Sequence, residues 1–149
     1  MAAALFALTF PLVAPFWLLM IVLPTWPVTG RIVRSPLIVL PAVLVYAALV
    51  LPELGPFWAA LGAPTLAGVR ELLGSDTGVA AAWAHLLAFD LFAGRWIYLD
   101  GGERGLNPWL LAPVLVLTLL FGPLGLAAYR TDQPQALLTL RQVAGRVAA

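Results

Sequence analysis

The only histidine of the chain, His85, and Asp90, little more than a helical turn further on, lie in a segment that is otherwise nearly all apolar, residues 77–99. An imidazole and a carboxyl are the side chains best suited to passing protons near neutral pH. Rings surround them in sequence, at Trp83, Phe89, Phe92 and Trp96, with Arg95 beside the last. At about 100° per residue, His85, Phe89, Phe92 and Trp96 make one narrow stripe. Asp90 falls about 140° from His85 and shares its face with Trp83, Leu87, Gly94 and Ile97. Ala84 and Ala88 offer a small-residue surface for close helix contact.

This pattern has two readings. In the functional one, His85 and Asp90 flank a shared cavity as an acid–base pair, and Trp83, Phe89, Phe92, Trp96 and Arg95 form the wall for an apolar ligand. In the structural one, Asp90 accepts hydrogen bonds from a neighbouring helix or an arginine and fixes packing, while Arg95 anchors at the interface. An ionisable group at this depth costs about 2.5–3.5 kcal/mol even on a lenient insertion scale, which favours a functional reason for it.

Other chemistries are excluded by what is missing. The chain has no cysteine, so thiolate catalysis, cysteine-ligated metals and disulfides are absent. Its eight basic residues are all arginine, which removes Schiff-base chemistry and a Walker-type phosphate lysine. A single histidine makes no metal or haem ligand set, so neither a metal nor a cofactor is expected. A formal net charge of +1 gives no basic face for nucleic acid.

The elements that hold these residues must sit in a bilayer, because 62% of the chain is hydrophobic, 10% is charged and the mean hydropathy is +0.98. Soluble proteins average about 25% charged residues. Spanning helices need about 20 apolar residues, and the uncharged runs predict an all-α integral membrane bundle of four transmembrane helices, near 3–24, 35–52, 77–99 and 107–129. Pro24-Thr25-Trp26-Pro27 ends the first, and Asn107-Pro108 caps the fourth. Between the second and third, Leu66, Val69, Leu72 and Leu73 oppose Arg70 and Glu71, which predicts a short amphipathic helix in the interface, preceded by a half-embedded turn at Phe57 and Trp58. One domain, residues 1–130, is followed by an amphipathic or frayed tail, residues 131–149.

Four crossings put Arg70, Arg130, Arg141 and Arg146 on one side and Arg31, Arg34 and Arg104 on the other, with Arg95 near them, so charge does not orient the chain. Interior prolines at Pro11, Pro15, Pro41, Pro113 and Pro123 bend the helices, most strongly at Phe121-Gly122-Pro123-Leu124-Gly125. Bent helices can enclose a ligand cavity or simply improve packing. The expected location is the bacterial cytoplasmic membrane, multi-pass, with room for a homo-oligomer. The missing lysine beside abundant alanine and arginine fits a GC-rich genome.

The run Ala82-Trp83-Ala84-His85-Leu86-Leu87-Ala88-Phe89-Asp90-Leu91-Phe92-Ala93-Gly94-Arg95, followed by Trp96-Ile97-Tyr98-Leu99-Asp100-Gly101, resembles a known family. So do the block Pro15 to Pro27 and the break at Gly122. The family is that of small integral-membrane proteins related to the plant abscisic-acid-deficient protein of neoxanthin synthesis. The resemblance implies a role in converting violaxanthin-type epoxycarotenoids, in which an epoxide opens and a proton is lost to give an allene. That needs an acid at the epoxide oxygen and a base at the neighbouring carbon, the roles it implies for Asp90 and His85. A bacterial member would act on another polyene or isoprenoid. The expected function is therefore carotenoid or isoprenoid processing, as an isomerase. Its rivals are a non-enzymatic pigment-binding or assembly factor and a small proton-coupled transporter, which an intramembrane aspartate among proline-broken helices also fits.

Overall fold

A computed structural model describes residues 1–131 of the chain. The predicted tail, 131–149, lies outside the described residues apart from its first member. Within them the structure is all-helical: α1 (Ala2–Val22), α2 (Pro27–Arg34), α3 (Leu40–Val50), α4 (Leu54–Gly62), α5 (Leu66–Gly74), α6 (Asp76–Glu103), α7 (Pro108–Phe121) and α8 (Pro123–Thr131). Single 3-10 turns, Pro36–Val39 and Leu51–Glu53, extend α3 at both ends into one helical stretch, Pro36–Glu53.

The helix ends follow from short polar side chains. The Ser75 hydroxyl accepts from the Gly78 amide at 2.9 Å and starts α6. Thr65 does the same for α5 through Gly68 at 3.0 Å, and Asn107 Oδ1 accepts from the Trp109 amide at 3.0 Å ahead of Pro108. Helix α6 stops at Gly105, whose φ of +69° suits only glycine at low cost. There the Leu106 amide donates to the Gly101 carbonyl and the Gly105 amide to that of Gly102, closing a Schellman turn.

Among the described residues three stretches are long and apolar enough to cross a membrane: Ala2–Val22, Pro36–Glu53 and Asp76–Glu103. These match the first three predicted spans. The predicted amphipathic stretch 66–74 is helical as α5, and the predicted turn around Phe57 is a further helix, α4. Helix α6 is the axis of the bundle. On its first half Ala80, Ala81 and Ala84 are buried against Val45, Leu49 and Val50 of α3. Small side chains there let the backbones approach closely, the packing by which apolar helices associate without large side chains between them. On its second half Gly94 receives the Trp17 ring of α1, and a Cβ at Gly94 would lie 2.5 Å from it.

The fourth predicted span, 107–129, is a correction. Helix α7 runs antiparallel to α6 with Leu111 against Gly101 near the end of α6 and Gly122 against Asp90 near its middle. The chain then turns back. A Cβ on Gly125 would lie 2.4 Å from both the Cα and the backbone nitrogen of Thr118, which two turns of one continuous helix could never allow, being about 10 Å apart. Tyr129 of α8 donates to Asp100 and packs edge-on against Trp96 at 5.5 Å between ring centroids, back near the end of α6. Had α7 continued straight, Tyr129 would sit roughly 20 Å away, level with Trp83. Helices α7 and α8 thus form a hairpin that reaches only to the depth of Asp90. The sequence shows a bend at Gly122-Pro123, but its angle is set by how closely Gly125 can approach Thr118.

Candidate functional site

Asp90 projects from the middle of α6 toward the hairpin tip. A Cβ on Gly122 would stand 2.1 Å from Asp90 Oδ1, so the glycine at the tip is what gives the carboxyl its space. The side chain is half-buried, and among the described residues nothing donates a hydrogen bond to it. It lines a cleft of about 250 Å³ whose other walls are Phe10 of α1, Trp83, Leu86 and Leu87 of α6, and Leu119 and Leu120 of α7. Trp83 is held there by Phe6, at 5.5 Å between ring centroids. The cleft offers one carboxyl to an otherwise apolar guest.

The structure separates His85 from this cleft. His85 is exposed on another flank of α6, its ring 4.7 Å from that of Phe89 and 5.5 Å from that of Tyr46 on α3. Phe89 and Phe92 continue this outward face, at 63% and 53% exposure. The 140° separation read from the sequence is kept in the structure, and His85 is not on the wall of the cleft that Asp90 lines. Of the predicted ligand wall, Trp83 lies in the Asp90 cleft and Phe89 and Phe92 lie outside it.

Arg95 and Trp96 are occupied elsewhere. The Arg95 guanidinium donates from Nε to the Val33 carbonyl at 2.8 Å and from a terminal nitrogen to that of Arg34 at 2.6 Å, satisfying the last carbonyls of α2. Trp96 lies between Tyr129 and the guanidinium of Arg130, 5.3 Å above the ring. Below it, Asp100 accepts from Tyr129 and forms an ion pair with Arg104 at 2.7 Å. The hydrogen bond to Asp100 holds the Arg104 guanidinium above its ordinary range. Tyr98 donates to the Pro24 carbonyl at 2.7 Å, fastening the end of α1.

Phe10, Leu119, Leu120 and Gly122 are site residues that the sequence reading missed. For Leu119, Leu120 and Gly122 the one signal in the sequence is the Gly-Pro break, which reads as a bend as readily as the reversal that carries residue 122 to Asp90; Phe10 of α1 carries none.

The family profile described as ABA DEFICIENT 4-like matches residues 4–129. The chain is 34% identical over 134 residues to the chloroplastic protein ABA DEFICIENT 4 of Arabidopsis thaliana, covering 86% of this chain and 60% of that protein. The chain thus spans about 60% of the length of this curated relative. No solved structure matches it. A profile that covers nearly the whole described bundle, including Asp90 and the hairpin beneath it, identifies the chain as a member of the ABA DEFICIENT 4-like family.

Proposed function

We propose that the protein isomerises a carotenoid or another isoprenoid inside the bilayer, with Asp90 as its catalytic residue. The observation that carries this reading is a carboxyl with no hydrogen-bond donor among the described residues, at the middle of a long apolar helix, facing an apolar cleft. The cleft, at about 250 Å³, falls just below the roughly 300–1,000 Å³ of pockets that enclose a whole small ligand. It suits the end group of a long molecule whose remainder lies along the bundle in lipid. Membership of the family, and the neoxanthin chemistry that the sequence resemblance implies, support a carotenoid-related guest.

One carboxyl suffices for such a reaction. For an epoxide next to a polyene, the protonated oxygen gives its proton to the epoxide oxygen as the carbon–oxygen bond breaks. The second oxygen takes the hydrogen from the neighbouring polyene carbon, and the electrons of that C–H bond become the new double bond of the allene. The carboxyl finishes with one proton, as it began, and neither oxidant nor reductant is consumed. In this scheme His85 stands outside the cleft and is not needed as the base.

The bilayer in this reading is the cytoplasmic membrane of a bacterium. A deletion strain complemented with the wild type, Asp90→Asn or His85→Ala, followed by chromatography of its carotenoids and isoprenoids, tests the assignment. Asp90→Asn is expected to leave the deletion profile and His85→Ala to restore the native one. A native profile with Asp90→Asn overturns it.

A second reading, a non-enzymatic pigment-holding protein, is favoured by the outward row of His85, Phe89 and Phe92. It requires that the purified protein carries a polyene yet converts none, and that substitution of Phe89 and Phe92 releases it.

A further inference from the structure

The reversal at Gly122 changes which charges share a side. With α8 returning toward the end of α6, one end of the bundle carries Arg31, Arg34, Arg104 and Arg130, all exposed, with Arg95 just inside, against the acids Asp100 and Glu103. The opposite end, built from the start of α1 with α4 and α5, carries Arg70 beside Glu53, Glu71 and Asp76. The arginine end also exposes Trp26 and Trp109, the residue type that settles at headgroup level.

That end holds a recess of about 570 Å³ between α2, α6, α7 and the link at Pro24 that follows α1. Gly30, Arg34, Tyr98, Gly102, Glu103 and Pro108 are on its wall. The Arg34 guanidinium has no ion-pair partner among the described residues, while Glu103 supplies an acceptor on the same wall. A cation and an acceptor facing one recess at headgroup level match a phosphate ester that carries hydroxyl groups.

We propose that this recess binds the headgroup of an anionic glycerophospholipid, and that the arginine end faces the cytoplasmic leaflet. Arg34 takes the phosphate and Glu103 accepts from the glycerol hydroxyls. Arginine-rich short loops are retained on the cytoplasmic side, whose leaflet is also the negatively charged one. The chain then crosses the bilayer three times, α7–α8 dips in from the cytoplasmic side as a re-entrant hairpin, and the chain start lies outside. Trp83, Leu86 and Leu87 precede Asp90 on α6, so the cleft opens below the hairpin tip, toward the outer leaflet. This last consequence for substrate entry rests on the function proposed above; the orientation and the headgroup seat do not.

The absence of native cysteine makes the test direct. Single cysteines at Ala67→Cys, at Leu106→Cys and appended after the last residue are labelled in intact spheroplasts with a membrane-impermeant maleimide, before and after permeabilisation. Ala67→Cys is expected to label at once, the other two only after permeabilisation. Immediate labelling of Leu106→Cys overturns the orientation, and labelling of the appended cysteine from the side opposite Leu106→Cys overturns the re-entrant hairpin. For the seat, wild type, Arg34→Gln and Arg70→Gln are reconstituted in phosphatidylcholine vesicles containing labelled phosphatidylglycerol, and the lipid retained on repurification is measured. A loss of fivefold or more, on the order of 1 kcal/mol, is expected for Arg34→Gln alone. Equal retention by all three, or displacement by millimolar inorganic phosphate, overturns the lipid assignment.

Discussion

Helix α6 carries two aspartates within its second half, and the bundle treats them in opposite ways. Asp100 is fully engaged, accepting from Tyr129 and pairing with Arg104 beside the Trp96–Arg130 stack. Asp90 meets the hairpin tip at Gly122 and, among the described residues, receives no hydrogen bond. A carboxyl inside lipid is expensive unless it is paired or used. Asp100 belongs to the first kind, a clasp that holds the return limb of the hairpin to α6. In the function proposed above Asp90 belongs to the second, and the hairpin that Asp100 fastens lies against its cleft.

The comparison breaks most visibly at Asp90 itself. Asp90→Asn keeps the shape of the side chain and removes its proton transfer, so turnover is expected to fall about 10²–10⁴-fold while the thermal midpoint in detergent barely moves. A collapse of stability with the activity would make Asp90 a second clasp. Next comes Gly122→Ala, whose new methyl takes the place of Asp90 Oδ1. It should cost up to about 10²-fold in turnover, the scale of an ångström of misplacement, because a short side chain can swing aside and spare the fold.

Gly125→Ala sharpens the contrast, since its methyl meets the backbone of Thr118, which cannot swing aside. A loss of about 1–3 kcal/mol is expected, read as a lowered midpoint and an opened hairpin. Tyr129→Phe removes the donor to Asp100 and should destabilise by roughly 1–3 kcal/mol at most, with turnover changed only as far as the hairpin loosens. In a double-mutant cycle with Asp100→Asn the two effects should fail to add. The smallest effect is expected from His85→Ala: activity within about twofold of the wild type, given that the imidazole lies on the outer flank.

Much of the fold is legible in the sequence. Uncharged runs of spanning length placed α1, α3 and α6, because a helix of about 20 apolar residues has the length and composition to cross a bilayer. Asn107 with Pro108, and Pro24 with Pro27, marked helix limits that the structure keeps. Asp90 could be singled out as a deep carboxyl, and its angle from His85 could be computed, since both depend only on helical geometry. The hairpin could not be read in this way. A Gly-Pro pair in an apolar run is compatible with a kinked span and with a reversal, and the two have the same hydropathy.

The sequence by itself determined the apolar composition, the three helices long and apolar enough to cross a membrane, the family resemblance and the separate faces of His85 and Asp90, for these rest on composition and local periodicity. Tertiary structure alone decided that residue 122 meets residue 90, that Arg95 and Asp100 are taken up by α2 and α8, and that Arg130 joins the arginine end. Each of those depends on a close approach between segments distant in sequence, such as Gly125 on Thr118 or Leu111 on Gly101. Helix periodicity says which residues share a face, but only packing determines what that face meets.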